Sequence, residues 1–183
     1  MGSIVVYETS FKSAVSNVRR ELKSFGCWTD ELSRLKIRHG YFAGAYGYQF
    51  YGSSGEIVIP AVSLCRVIEK LFDGPFVGLR DVIRHEYAHG IAYCHPELVL
   101  CPTFVSTFGG DHDLGSATKY CHTRHVTEYA ATHPCEDFAE VFMYYCKHKT
   151  KVPKRFCGLS VIEKKFAFLK QLCKKLSTLN HRR

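Results

Sequence analysis

The clearest apolar periodicity lies near the start of the chain. From Ser10 to Phe25, apolar residues recur at steps of four, three, four and three, and this spacing predicts an amphipathic helix facing a core. An apolar-rich segment from about Val77 to Tyr93 predicts a second helix, which Pro96 stops. A third periodic segment follows Ser160, and its apolar face consists of Ile162, Phe166, Leu169, Leu172, Cys173 and Leu176.

Short segments with strand character fill much of the region between the first two helices. They are Leu35–Ile37, Tyr46–Tyr51 and Glu56–Pro60, and the turn residues Gly52–Gly55 predict that the last two form a hairpin. Pro60 should limit pairing at the end of its strand, because proline has no N–H group to donate. A further helix is predicted for residues 62–72.

The pattern as a whole predicts one domain of the α+β class, spanning residues 1–183. Residues 1–76 would form an N-terminal part of sheet and helices, and residues 77–183 a mainly helical part. Hydrophobic residues make up 46% of the chain and charged residues 23%, which is typical of a globular protein with a sizeable core.

No segment resembles a membrane span or a secretory signal. No apolar run approaches the roughly 18 residues that a transmembrane helix needs, and the N-terminus lacks a basic segment followed by a long apolar one. Nine cysteines are scattered without a C-x-x-C motif, mostly beside apolar residues. We therefore expect a cytoplasmic protein with no membrane partner, whose cysteines are reduced thiols in the core.

The formal net charge of +8 raises the question of a nucleic-acid partner. Most of the basic excess lies in three places: Lys147–Lys154, Lys164–Lys175 and the last three residues, 181–183. Basic C-terminal helices are more often solvated faces than binding surfaces, so the charge by itself favours no nucleic-acid function.

One motif concentrates metal-binding chemistry. Residues 84–90 read Arg-His-Glu-Tyr-Ala-His-Gly, so His85 and His89 are four apart on a predicted helix and share one of its faces. Two imidazoles placed in this way can share a Zn²⁺ ion, while Glu86 can reach a bound water without ligating the metal. Zinc lowers the pKa of such a water to about 7, and Glu86 would take its proton.

Two residues compete for the position of third ligand. His95 would complete the longer pattern H-E-x-x-H-x-x-G-x-x-H of metzincins, but Ala92 stands where a turn favours glycine. The Met-turn expected downstream is matched only by Met143, inside a segment that has helical character. Glu136 follows Pro134 at the predicted start of a helix, where proline and acidic residues are both favoured. The residues alone leave both candidates open.

A second carboxylate accompanies Glu136 on the same predicted helix face. Glu140 lies four residues later, one helical turn away. A carboxylate in that position can accept the free N–H of a metal-binding imidazole and fix its tautomer. Glu140 is therefore predicted to support the ligands rather than to bind the metal.

Together these motifs resemble those of a known group of enzymes. The motif H-E-x-x-H, followed by Tyr129-x(6)-Glu136-x-Phe-Ala-Glu140, is similar to that of gluzincins related to the anthrax lethal factor catalytic domain and the clostridial Pro-Pro endopeptidases. The resemblance covers roughly Val82 to Phe142, about a third of the chain. It implies a zincin-like fold, in which a small antiparallel or mixed sheet accompanies an active-site helix and a second helix that carries a zinc ligand.

The resemblance also implies a role for each matching residue. One Zn²⁺ ion would be held by His85, His89 and Glu136. Glu86 would be the general base, and Tyr129 would stabilise the oxyanion with its phenol group. The implied function is a zinc endopeptidase that acts as a monomer on a protein or peptide substrate.

Three other peptidase functions stay open at the level of sequence, as does a zinc-binding scaffold without activity, against which the intact Glu86 argues. A metzincin-like peptidase would use His95 as third ligand. A SprT-like, DNA-associated protease would combine H-E-x-x-H with a basic surface, although it would want a histidine as third ligand and no zinc ribbon follows here. A secreted effector or toxin protease would have its target in another cell, and no residue separates it from a housekeeping enzyme.

Overall fold

A computed structural model describes residues 5–44, 47–51, 54–63 and 78–180, without the side chains of residues 41–54, 63 and 180. Its helices are α1 (Glu8–Ser24), α2 (Asp30–Ser33), α3 (Leu79–Cys94), α4 (Pro102–Phe108), α5 (Pro134–Lys147) and α6 (Ser160–Asn180). Its strands are β1 (Lys36–Gly44), β2 (Gly47–Tyr51) and β3 (Ser54–Ser63), and short 3-10 turns cover Pro96–Leu98, Tyr129–Ala131 and Lys154–Phe156. The predicted α+β class is confirmed.

The first helix follows the apolar spacing of the sequence. Helix α1 buries Phe11, Ala14, Val15, Val18 and Leu22 on one face and packs against α3. Val18 and Leu22 are fully buried, and burying side chains of this size stabilises the fold by about 1.5–3 kcal/mol each.

The sheet has three strands in the order β1-β3-β2. Strands β2 and β3 are antiparallel, with Tyr48 opposite Ile57, so the predicted hairpin is confirmed. Strand β1 pairs with β3 in parallel, with Lys36 opposite Glu56, so of the two predicted alternatives the sheet is mixed and not purely antiparallel. The central position of β3 explains why Ile57, Val58 and Ile59 are all buried, since consecutive apolar residues are typical of a strand covered on both faces.

The end of β3 differs from the sequence prediction. The strand continues past Pro60 to Ser63, although the register with β1 shifts between Gly40 and Ala43, next to the proline. Residues 62 and 63 belong to this strand rather than to a helix. The rest of the helix predicted for 62–72, and the boundary proposed between residues 76 and 77, lie outside the described residues.

Helix α3 is the centre of the helical part. It packs against α1 on one side and α5 on another, and most of its residues are buried. Gly90 allows a close approach to the segment before β1, because a Cβ atom there would lie 2.6 Å from Leu35 Cδ1. No helix in the described part of the chain is both long and apolar enough to cross a membrane.

One prediction about the cysteines is wrong. Cys27, just after α1, forms a disulfide with Cys173 in α6, and their Cα atoms are 4.7 Å apart. The sequence offered no signal for this pair, since 146 positions separate the two residues. In the chain-entropy account, closing so long a loop stabilises the folded state by up to about 5 kcal/mol. The other cysteines among the described residues are free.

Candidate metal centre

The two histidines of the H-E-x-x-H motif face the same point beside helix α3. His85 Nε2 and His89 Nε2 are 3.2 Å apart, and the two rings meet edge to face with centroids 5.0 Å apart. The helical spacing of four residues produces this arrangement directly. His85 is 7% exposed, so little bulk water reaches its ring.

Glu136, on helix α5, lies beside the same two imidazole nitrogens. Pro134 opens this helix, and His133 caps it by accepting a hydrogen bond from the Cys135 backbone N–H. Glu136 lies in the first turn, and its Oε2 is 3.1 Å from His85 Nε2 and 3.5 Å from His89 Nε2. The structure therefore brings together the three residues that the sequence proposed as ligands.

The spacing of these three atoms fits a tetrahedral metal ion. Zinc binds nitrogen and oxygen ligands at about 2.0–2.1 Å, so two corners of a regular tetrahedron around it lie about 3.3–3.4 Å apart. The three observed separations run from 3.1 to 3.5 Å. Each of the three atoms can present a lone pair to the same point, so a metal ion could bind all three at once.

The far side of the His85 ring is held by a carboxylate. His85 Nδ1–H donates to Glu140 Oε1 at 2.9 Å, which leaves Nε2 on the side of the ring that faces Glu136. Thr127 Oγ1 in turn donates to Glu140 Oε2 at 2.7 Å, so both oxygens of that carboxylate are fixed. This placement agrees with the support role predicted for Glu140.

Ionisation in the metal-free protein reflects the same contacts. Burial lowers the pKa of His85, but its hydrogen bonds with Glu136 and Glu140 outweigh that effect and raise the pKa to about 10. Burial acts against ionisation of Glu136, yet hydrogen bonds with His85 and His89 hold its pKa well below the usual range. At neutral pH a proton therefore occupies His85 Nε2, and a metal ion must displace it.

The two residues predicted to act on a substrate lie beside this cluster. Glu86 is 3% exposed, and its charge contributes to the raised pKa values of both His85 and Tyr129. The Tyr129 ring is 5.9 Å from the His85 ring, centroid to centroid, and half of the residue is exposed. Burial first, and then the charge of Glu136, raises the pKa of Tyr129, so its phenol stays protonated and able to donate.

His95, the other candidate ligand, lies elsewhere. It follows the last residue of α3, and its Nε2 is 2.9 Å from Thr29 Oγ1, beside helix α2. The group of described residues that could hold a metal ion, His85, His89 and Glu136, does not include it. Met143 is buried within α5 rather than in a turn, so neither mark of a metzincin site is present there.

Sequence reasoning missed two residues that support the site. Thr127 holds Glu140 and also accepts a hydrogen bond from the Ala130 backbone N–H, which fixes the turn carrying Tyr129.

The second residue is Lys165, which is 2% exposed and donates hydrogen bonds to both the Asp137 carboxylate and the Arg124 carbonyl oxygen. A lysine within the apolar stripe of the last helix was the available signal for Lys165, because a buried cation requires a partner. Nothing in the local sequence marked Thr127.

Comparisons with known protein families, with curated proteins and with solved structures find no match for this chain. The geometry of the cluster and the chemistry of its residues are therefore the grounds on which a function can be proposed.

Proposed function

We propose that the chain is a zinc-dependent endopeptidase of the gluzincin type, built on a zincin-like fold. The observation that carries this proposal is the convergence of His85, His89 and Glu136 within 3.5 Å of one another, with the buried Glu86 beside them. Two histidines, a glutamate and an adjacent carboxylate that is not itself a ligand are the residues that metal-assisted peptide hydrolysis requires.

A zinc ion bound there would polarise the carbonyl of a peptide bond and lower the pKa of a water molecule. Glu86 accepts the proton of the attacking water and returns it to the leaving amine, as a general base and then a general acid. The buried position of Glu86 keeps competing water away from this carboxylate. We expect the substrate to be a protein or peptide.

Tyr129 has the properties of an oxyanion donor. Its phenol remains protonated because its pKa is raised, and its half-exposed position beside His85 leaves it open to a substrate. Removing one such donor typically lowers kcat by about 10²–10³. Glu140 and Thr127 keep the His85 ring in one tautomer and one orientation.

Glu86→Gln tests the reaction without disturbing the ligands. Zinc content should match that of the wild-type protein, while cleavage of casein or of a peptide library should fall by at least about 100-fold, since no base remains. Glu97→Gln is the matched control, because this exposed acid lies just beyond α3 and the change is chemically the same. Cleavage by Glu86→Gln at the wild-type rate would reject the assignment.

A further inference from the structure

A second concave surface lies apart from the metal cluster. It is a groove of about 980 Å³ formed by α1, the start of α3 and the end of α5, and it contains none of the cluster residues. Its polar lining includes Ser10, Ser13, Asn17, Arg80, Lys147 and Lys149. Hydroxyl, amide and cationic groups therefore face the same space.

The carboxylates of the groove are already neutralised. Arg84 binds Glu21 through two nitrogens, at 2.8 and 2.9 Å, and binds Asp81 at 2.5 Å. Lys147 binds the other oxygen of Asp81 at 2.7 Å. Arg80 and Lys149 have no carboxylate partner in the described part of the chain, so the rim of the groove keeps a positive charge.

A basic turn, residues 147–155, extends this positive surface beyond the groove. It contains Lys147, Lys149, Lys151, Lys154 and Arg155, and no acidic residue occurs between Glu140 and Glu163. Three of these lysines, Lys149, Lys151 and Lys154, are exposed and make no ion pair with any described residue. The Arg155 guanidinium is also exposed and lies 4.9 Å from the centre of the Tyr144 ring.

The backbone of the basic turn places a cation where glycine is usual. Lys149 has φ 53° and the β-branched Thr150 has φ 67°, directly after the end of α5. Helices commonly end with glycine in this left-handed conformation. Any other residue there raises the conformational free energy of the folded state by roughly 1 kcal/mol or more. The strained position holds the Lys149 side chain at the rim of the groove, which indicates a use for its charge.

We propose that the groove and the basic turn bind the phosphate backbone of a nucleic-acid strand. Lysine, arginine, serine and asparagine side chains are the groups that contact phosphates, and the cations extend over more surface than one phosphate would occupy. The proposal does not depend on the metal cluster or on peptidase activity.

Fluorescence anisotropy with a labelled single-stranded oligo-dT, between 50 and 200 mM salt, tests the proposal on the 183-residue chain. Replacing Lys149, Lys151 and Lys154 by glutamine should weaken binding at least tenfold at 50 mM salt. It should also reduce the slope of log K against log salt by about 2, since each phosphate contact contributes about 0.7. The matched control replaces Lys170, Lys174 and Lys175 of α6, which are exposed too, and should stay within twofold of wild type.

Lys149→Gly separates binding from folding. Glycine relieves the left-handed strain, so Tm should stay equal or rise while oligonucleotide affinity falls. Three results would overturn the proposal: no salt-dependent binding by the wild-type protein, equal losses in the two triple variants, or displacement of the oligonucleotide by polyglutamate as effectively as by DNA of equal length. The last would indicate an acidic protein partner.

Discussion

Two consecutive residues of helix α3 take part in two very different electrostatic environments. Arg84 joins Glu21, Asp81 and Lys147 in a network where each charge meets an opposite one. His85, the next residue, faces atoms that all carry lone pairs, from His89 and from Glu136. The first arrangement is complete within the chain, whereas the second takes up a proton and could instead take up a metal ion. Burial is equal for Arg84 and His85, at 7% exposed each, so burial alone does not distinguish a structural group from a metal ligand.

The largest effect should come from removing the Arg84 cation from its network of ion pairs. Arg84→Met leaves Glu21 and the inner side of Asp81 without their cation, and breaking a buried pair in this way costs about 3 kcal/mol. The free energy of unfolding, measured with urea, should fall by this amount, while zinc affinity stays within a few-fold of wild type. Arg80→Met, at an exposed neighbour, should leave stability nearly unchanged. If Arg84→Met lost zinc affinity but no stability, the distinction drawn between Arg84 and His85 would be wrong.

A smaller effect should follow from changing Thr127, which supports His85 through Glu140. Thr127→Val keeps the shape of the side chain but removes the hydroxyl that holds Glu140. Zinc affinity, measured by competition with a chelator, should fall about tenfold, as is typical for groups that orient a ligand. Thr127→Ser keeps the hydroxyl and should restore the affinity. Equal affinity in the valine and serine variants would show that Thr127 does not act through Glu140.

The smallest effect, taken per pH unit, is a pH dependence: the stability of the metal-free protein and its affinity for zinc should change in opposite directions. In the metal-free protein the pKa of His85 is raised to about 10 from 6.5, so the stability that it contributes is fully present below pH 6.5. That contribution is lost as the pH rises through 10, and the free energy of unfolding should fall by about 1 kcal/mol per pH unit from pH 7 to 9. Zinc must displace the same proton, so zinc affinity should rise across this range.

Chelator-treated protein and zinc titrations, both measured from pH 7 to 9, check the two trends. Glu140→Gln removes one of the negative charges that raise the pKa of His85, and it should flatten both curves. A chelator-treated wild-type protein whose stability is constant or rises over this range would contradict the ionisation described for His85.

The sequence predicted the local features of the molecule well. His85 and His89 share a face because helical spacing is a local property. Helix-start signals made Glu136 one of two candidates for the third ligand, and the resemblance to gluzincins selected it. Residues paired at long range were beyond prediction: the parallel pairing of β1 with β3 and the disulfide between Cys27 and Cys173 depend on how distant segments meet. Thr127 was missed for the same reason, because its role comes from a contact 13 residues away.

The central claim is that His85, His89 and Glu136 hold one divalent ion. Its most direct test is the zinc content of wild-type, Glu136→Ala and His95→Ala protein, loaded with zinc, desalted and measured by mass spectrometry, with circular dichroism to verify folding. One zinc per chain should remain in the wild type and in His95→Ala, and none in Glu136→Ala. A folded Glu136→Ala protein that keeps its zinc, beside a folded His95→Ala protein that loses it, would contradict the claim.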